Sequence, residues 1–88
     1  MKKNIKQKIA NSLDIPGDVL CDVPHFSLVN NRELRVENYK GILLYTENEI
    51  NLGAKEYKIN ITGENLKITV ITDEFIIIIG SISALNFI

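Results

Sequence analysis

Residues 57–79 read YKINITGENLKITVITDEFIIII, and this stretch decides the fold class. Tyr57, Ile59 and Ile61 alternate with Lys58 and Asn60, and Leu66, Ile68 and Val70 alternate with Lys67 and Thr69. A period of two marks a strand with one wet and one buried face. Gly63-Glu64 between the two runs suits a two-residue type II′ loop with glycine first. Such a loop sets Ile61, Ile59 and Tyr57 opposite Leu66, Ile68 and Val70, six large side chains on one face. A slip of one residue brings Lys58 or Lys67 among them, so this register is the expected one. A turn at Asp73-Glu74 then sets Val70 opposite Ile77 and Ile68 opposite Ile79, carrying the apolar layer across three strands.

The other face of the same ribbon carries Lys58, Asn60, Lys67 and Thr69, then Ile76 and Ile78 with Ile71 diagonally near. A strand apolar on both faces is either covered or central. Two expectations follow: the C-terminal strand or an N-terminal helix covers these isoleucines, or they form a subunit or partner interface. The apolar terminus, with Leu85, Phe87 and Ile88, reads as a last strand or an edge open to pairing. Ile71, Ile76, Ile78, Leu85 and Phe87 are therefore the candidate interface residues.

Outward from this core, Glu33-Leu34-Arg35-Val36-Glu37 alternates without a fault. Polar interruptions at Asn30-Asn31, Glu37-Asn38, Glu47-Asn48, Gly63-Glu64 and Asp73-Glu74 recur at the spacing of a sandwich, barrel or roll. Both prolines, Pro16 and Pro24, precede the sheet region, so no missing amide interrupts a ladder after residue 24. The first hairpin, around Asn30-Asn31, fits a two- or a four-residue loop. The fold expected is mainly β, a small antiparallel sandwich or roll of short meandering strands over residues 25–88.

Residues 1–24 read differently. Lys2, Lys3, Lys6 and Lys8 come with no acid before Asp14, and Ile5, Ile9 and Leu13 fall on one stripe of a short helix. Pro16-Gly17 ends it, and Asp14, Asp18 and Asp22 mark an acidic connector. The expected organisation is a basic N-terminal helix and connector over 1–24, then the β domain. The lysines offer at most weak peripheral contact with an anionic membrane surface, about 1 kcal/mol each.

The 88 residues suffice for one domain, with 45% hydrophobic and 24% charged residues, which excludes a wholly disordered chain. Ten Lys+Arg against eleven Asp+Glu give a net charge of -1. That balance disfavours nucleic-acid binding, as does the absence of aromatics interleaved with basic residues. The longest apolar run, Phe75 to Ile79, is far short of the ~20 residues of a spanning helix. One cysteine excludes an intrachain disulfide, and no apolar signal-peptide region follows the basic start.

Chemistry-bearing constellations are sparse. Cys21 and His25 lie four apart, but a structural zinc site wants about four ligands, and a thiol nucleophile wants an orienting third group. Glu33 and Glu37 flank Arg35 on one strand face, a solvated charge stripe, and Glu47 and Glu49 flank a turn. Gly41, Gly53, Gly63 and Gly80 are scattered and form no phosphate loop; within strands they signal bulges or close backbone contacts. No catalytic residue, cofactor or metal is expected, and the chain is read as no enzyme.

Three runs carry a resemblance: Asp18-Val-Leu-Cys-Asp-Val-Pro-His25 with Phe26-Ser-Leu-Val-Asn30, Leu34-Arg-Val-Glu-Asn-Tyr-Lys-Gly-Ile-Leu43, and Ile71-Thr-Asp-Glu-Phe75 before Ile76 to Ser81. Together they resemble the YabP/YqfC family of sporulation proteins of endospore-forming bacteria, with the YqfC branch the nearer. The resemblance implies a role in spore formation or spore-coat assembly in the cytoplasm of the developing cell, without enzymatic activity. It also implies a protein partner, a membrane-associated sporulation protein among the candidates, and self-association is a further expectation. Within the matched runs, Pro24, Glu37, Asn38 and Gly41 read as a structural turn motif, Asn38 through positive φ and Gly41 through close strand approach. Competing classes are a small β-barrel binding nucleic acid or another ligand, and an enzyme assembled from distant carboxylates.

Overall fold

A computed structural model describes residues 23–88. The basic N-terminal stripe, the acidic connector and Cys21 lie outside the described residues. Six strands follow in order: β1 (His25–Val29), β2 (Glu33–Glu37), β3 (Ile42–Tyr45), β4 (Glu49–Gly53), β5 (Lys58–Ile71) and β6 (Phe75–Phe87). They form one antiparallel sheet in the order β1-β2-β6-β5-β4-β3. The mainly β, antiparallel expectation is met. The strands are not all short, and the long pair β5 and β6 is the spine of the fold.

Gly63-Glu64 is not a turn. The chain runs extended through it, and β5 continues for 14 residues. Ile61 therefore stands opposite Leu85 and Ile59 opposite Phe87 on β6, not opposite Leu66 and Ile68. The local pair of residues suits a hairpin, but a non-local contact decides. Gly63 is where β5 passes the Ser81 carbonyl so closely that no Cβ fits, and Gly80, at φ +141, makes a less extreme approach to the Asn65 carbonyl. These two glycines mark the level at which the long ribbon bends.

The bend makes two layers of a single sheet. Residues 75–79 of β6 lie between β2 and the end of β5, while residues 58–62 of β5 lie between β4 and the end of β6. A lone flat sheet would leave both faces wet. Here ten apolar side chains form one buried cluster, because the two halves of the sheet face each other. One half supplies the cross-strand pairs Leu34–Ile78 and Val36–Ile76, and the other supplies Ile50–Ile61 and Leu52–Ile59. All eight are completely buried. Each such burial contributes roughly 1.5–3 kcal/mol relative to exposure.

The two short hairpins dock against the bends in the same manner. In β1–β2 the turn carbonyls of Arg32 and Asn31 accept from Gly80 N and Ile82 N; in β3–β4 those of Asn48 and Glu47 accept from Gly63 N and Leu66 N. Backbone groups freed by the bends are thus satisfied by the hairpin tips. The β1–β2 loop has three residues, neither two nor four, with Val29 paired to Glu33 and Asn30 at φ 52.

The Asp73-Glu74 turn forms as expected and places Val70 opposite Ile77. A bulge between Ile68 and Val70 then shifts Ile68 onto Ile78 in place of Ile79. The four-isoleucine run is accordingly oriented opposite to expectation. Ile76 and Ile78 are in the core, whereas Ile79 is 37% exposed and Ile77 half-buried.

Candidate interaction surface

The expected interface residues separate into three groups. Ile76 and Ile78 are fully buried against Val36 and Leu34, so they cannot meet a partner in the folded chain. Leu85 is half-buried and packs on the core. Ile71 and Phe87 are each 57% exposed, at opposite ends of the β5–β6 ribbon. Phe87 is held by T-shaped contacts with Phe26 and Tyr57, at 5.5 and 5.4 Å between centroids. That aromatic trio staples β1 to the end of β6 and closes one side of the two-layer fold.

The other side is built differently. No Cα of β3 lies within 8 Å of β5, yet Tyr45 bridges the two strands, and Tyr39, between β2 and β3, reaches the β5–β6 turn. Tyr45 Oη accepts from Ile68 N at 2.9 Å, and Tyr39 Oη donates to Thr72 O at 2.7 Å. At the Tyr39 support lies an open depression of about 520 Å³ lined by Tyr39, Lys40, Gly41, Ile71, Thr72 and Asp73. Beside it runs β3, whose residues Ile42, Leu43, Leu44 and Tyr45 are all exposed. Sequence reasoning passed over this strand because four consecutive apolar residues carry no alternation. Its signal is composition: an edge strand with no charge of its own.

Pro24, Glu37, Asn38 and Gly41 lie along the lead-in to β1 and the passage from β2 to β3. Pro24 directly precedes β1. Asn38, at φ 62, receives the chain on both sides: its N–H donates to Glu74 O at 2.8 Å and Nδ2 donates to Val23 O at 3.1 Å. The lead-in to β1 is thereby tied to the β5–β6 turn. Glu37 accepts from Arg35 at 3.3 Å, and the Arg35 guanidinium lies 4.0 Å over the Phe75 ring. Gly41 is at φ +127 with no atom within 4 Å of an added Cβ, so it serves backbone conformation, and the expected close strand approach is absent there.

The outer face of the second half carries a polar row that sequence alone did not single out. Asn51, Asn60 and Asn86 stand opposite one another on β4, β5 and β6. Asn60, only 7% exposed, donates through Nδ2 to Glu49 Oε2 and Asn51 Oδ1 at 2.7 Å each and accepts from Asn86 Nδ2 at 3.1 Å. This ladder fixes the register of three strands.

His25 opens β1 at an exposed position. Among the described residues no three His, Cys, Asp or Glu side chains gather as metal ligands, and no helix is long and apolar enough to cross a membrane. Glu33 and Glu37 lie four residues apart on β2, and only Glu37 pairs with Arg35.

The whole defines a small bent antiparallel sheet, held shut by tyrosine and phenylalanine side chains and apolar along one edge. Residues 23–88 match the YabP family, and the chain belongs to that family. A Bacillus subtilis (strain 168) relative, the uncharacterized protein YqfC, is 33% identical over 87 residues, covering 99% of this chain and 94% of the relative. This membership points to a sporulation-related protein. No solved structure matches the chain.

Proposed function

We propose that the chain is a non-enzymatic assembly module of endospore formation, acting through its β surface on a protein partner in the cytoplasm of the sporulating cell. The observation that carries this reading is the exposed apolar edge Ile42–Tyr45 with Ile71 beside it, on a chain whose membership of the YabP family supports a sporulation-related role. Exposed apolar groups clustered at an edge are what association uses. Residues 26–88 hold six Lys/Arg against eight Asp/Glu, the wrong sign for a nucleic-acid groove. A membrane-associated partner fits the same proposal, with Lys2, Lys3, Lys6 and Lys8 adding weak attraction to anionic lipid.

The test is genetic and biochemical together. Deleting the gene is expected to lower heat-resistant spore counts, and affinity capture from cells in mid-sporulation is expected to recover a sporulation protein. Normal spore counts in the deletion strain, with no protein recovered, would overturn the proposal.

A further inference from the structure

β3 is one of the two edge strands of the sheet, β1 being the other. Strand edges are normally guarded by charge or proline, and β3 has neither among Ile42, Leu43, Leu44 and Tyr45. Among the described residues it pairs only with β4, which leaves its outer backbone row without a strand partner there. A bulge at Leu43 is its one irregularity, and it has a consequence for pairing. Ile42 and Tyr45 stand opposite the buried Leu52 and Ile50, while the extra residue leaves Leu43 and Leu44 together opposite Asn51. Going along β3, the faces therefore read inner, outer, outer, inner, and that order is the same in both directions.

Resting on the assembly reading above, we infer that the partner at this edge is a second copy of the same chain, joined β3 to β3 in antiparallel fashion about a two-fold axis. Ile42 then meets Tyr45 of the second copy, and Leu43 meets its Leu44, so every opposed pair shares a face. The same register brings exposed Lys40 to the level of Glu47 of the second copy, and by symmetry this happens twice. Neither residue takes part in an ion pair among the described residues. The flanking charges are thus complementary to a copy of themselves, while the strand between them holds nothing that repels its like. Ile71, exposed across the depression from Tyr39, widens the apolar contact beyond one short strand.

Sedimentation equilibrium of the purified full chain tests this, with a dimer constant on the order of tens of micromolar expected for so short a seam. Leu43→Lys places a lysine on the edge at a site 55% exposed, so folding should be unchanged by circular dichroism while dimerisation weakens at least about ten-fold. Lys40→Glu and Glu47→Lys should each weaken it about ten-fold through two like-charge contacts, and the double reversal should restore it. A wild-type chain that stays monomeric to about 0.5 mM overturns the pairing, as does a dimer indifferent to Leu43→Lys. Failure of the double reversal to restore affinity overturns the register. Because these readouts use purified protein, a monomer leaves the spore-count result standing, and normal spore counts leave the dimer standing.

Discussion

Gly63 and Ser81 meet at the bend of the sheet with the glycine's missing side chain facing the serine carbonyl oxygen. Any Cβ at residue 63 would be driven into that oxygen and into the Ile82 Cα at 3.1 Å, all backbone atoms that cannot rotate aside. Gly63→Ala is expected to destabilise the fold by about 2–4 kcal/mol, an overpacking cost at the upper end of its range. Gly41→Ala is the matched control. Space is open there, so only the strained φ of +127 is charged, about 1–2 kcal/mol. Urea unfolding of both variants measures the difference, and equal losses would refute the close-approach account.

The run Ile76 to Ile79 yields a paired prediction. Ile78 is fully buried opposite Leu34, and Ile79 is 37% exposed opposite Glu33 and Lys67. Ile78→Ala should cost about 2–5 kcal/mol, as a cavity in a closed core does. Ile79→Ala should cost under about 1 kcal/mol. The reverse ranking in denaturant midpoints would restore the opposite orientation of β6.

These contrasts locate what the chain makes legible. Alternation exposes Leu34 and Val36 as core positions, because each is flanked by charge and only one face can be dry. The Asp73-Glu74 turn and the positive φ at Asn38 are also local, written in residue types that tolerate those conformations. Four isoleucines in a row carry no phase, however, and their orientation is set by β2, which meets β6 from far away in sequence. Gly63-Glu64 resembles a hairpin loop until the approach of Ser81 is known. The exposed edge at Ile42–Tyr45 was illegible for the same reason as the isoleucines: an unbroken apolar run does not say which strand covers it, and among the described residues none does.

Asn60 is the hub of the polar row on the outer face, with three side-chain partners. Asn60→Ala leaves the Asn86 amide and the Asn51 carbonyl to find water, which both can reach at their half-buried or exposed positions. The expected loss is about 1–2 kcal/mol, the cost of a broken partly buried network. A double-mutant cycle with Asn86→Ala should show coupling of about 0.5–1 kcal/mol. Strict additivity would mean the ladder is incidental to stability.

Tyr45 makes the last prediction, because its hydroxyl bridges β3 to the backbone of the opposite half at Ile68. The Ile68 amide sits on the side of β5 that β4 no longer covers beyond the bend, since β4 pairs only with residues 58–62. Tyr45→Phe keeps the ring and removes the acceptor, so the effect is confined to one N–H. Global stability should fall by only about 0.5–1.5 kcal/mol. Amide hydrogen exchange should be more revealing: Ile68 should lose protection selectively, while Ile76 and Ile78 retain theirs within the core pairing to β2. Tyr39→Phe provides the comparison, because its hydroxyl donates to Thr72 O and frees no amide. If Ile68 exchanges at the wild-type rate in Tyr45→Phe, the tyrosine bridge does not hold that side of the fold closed.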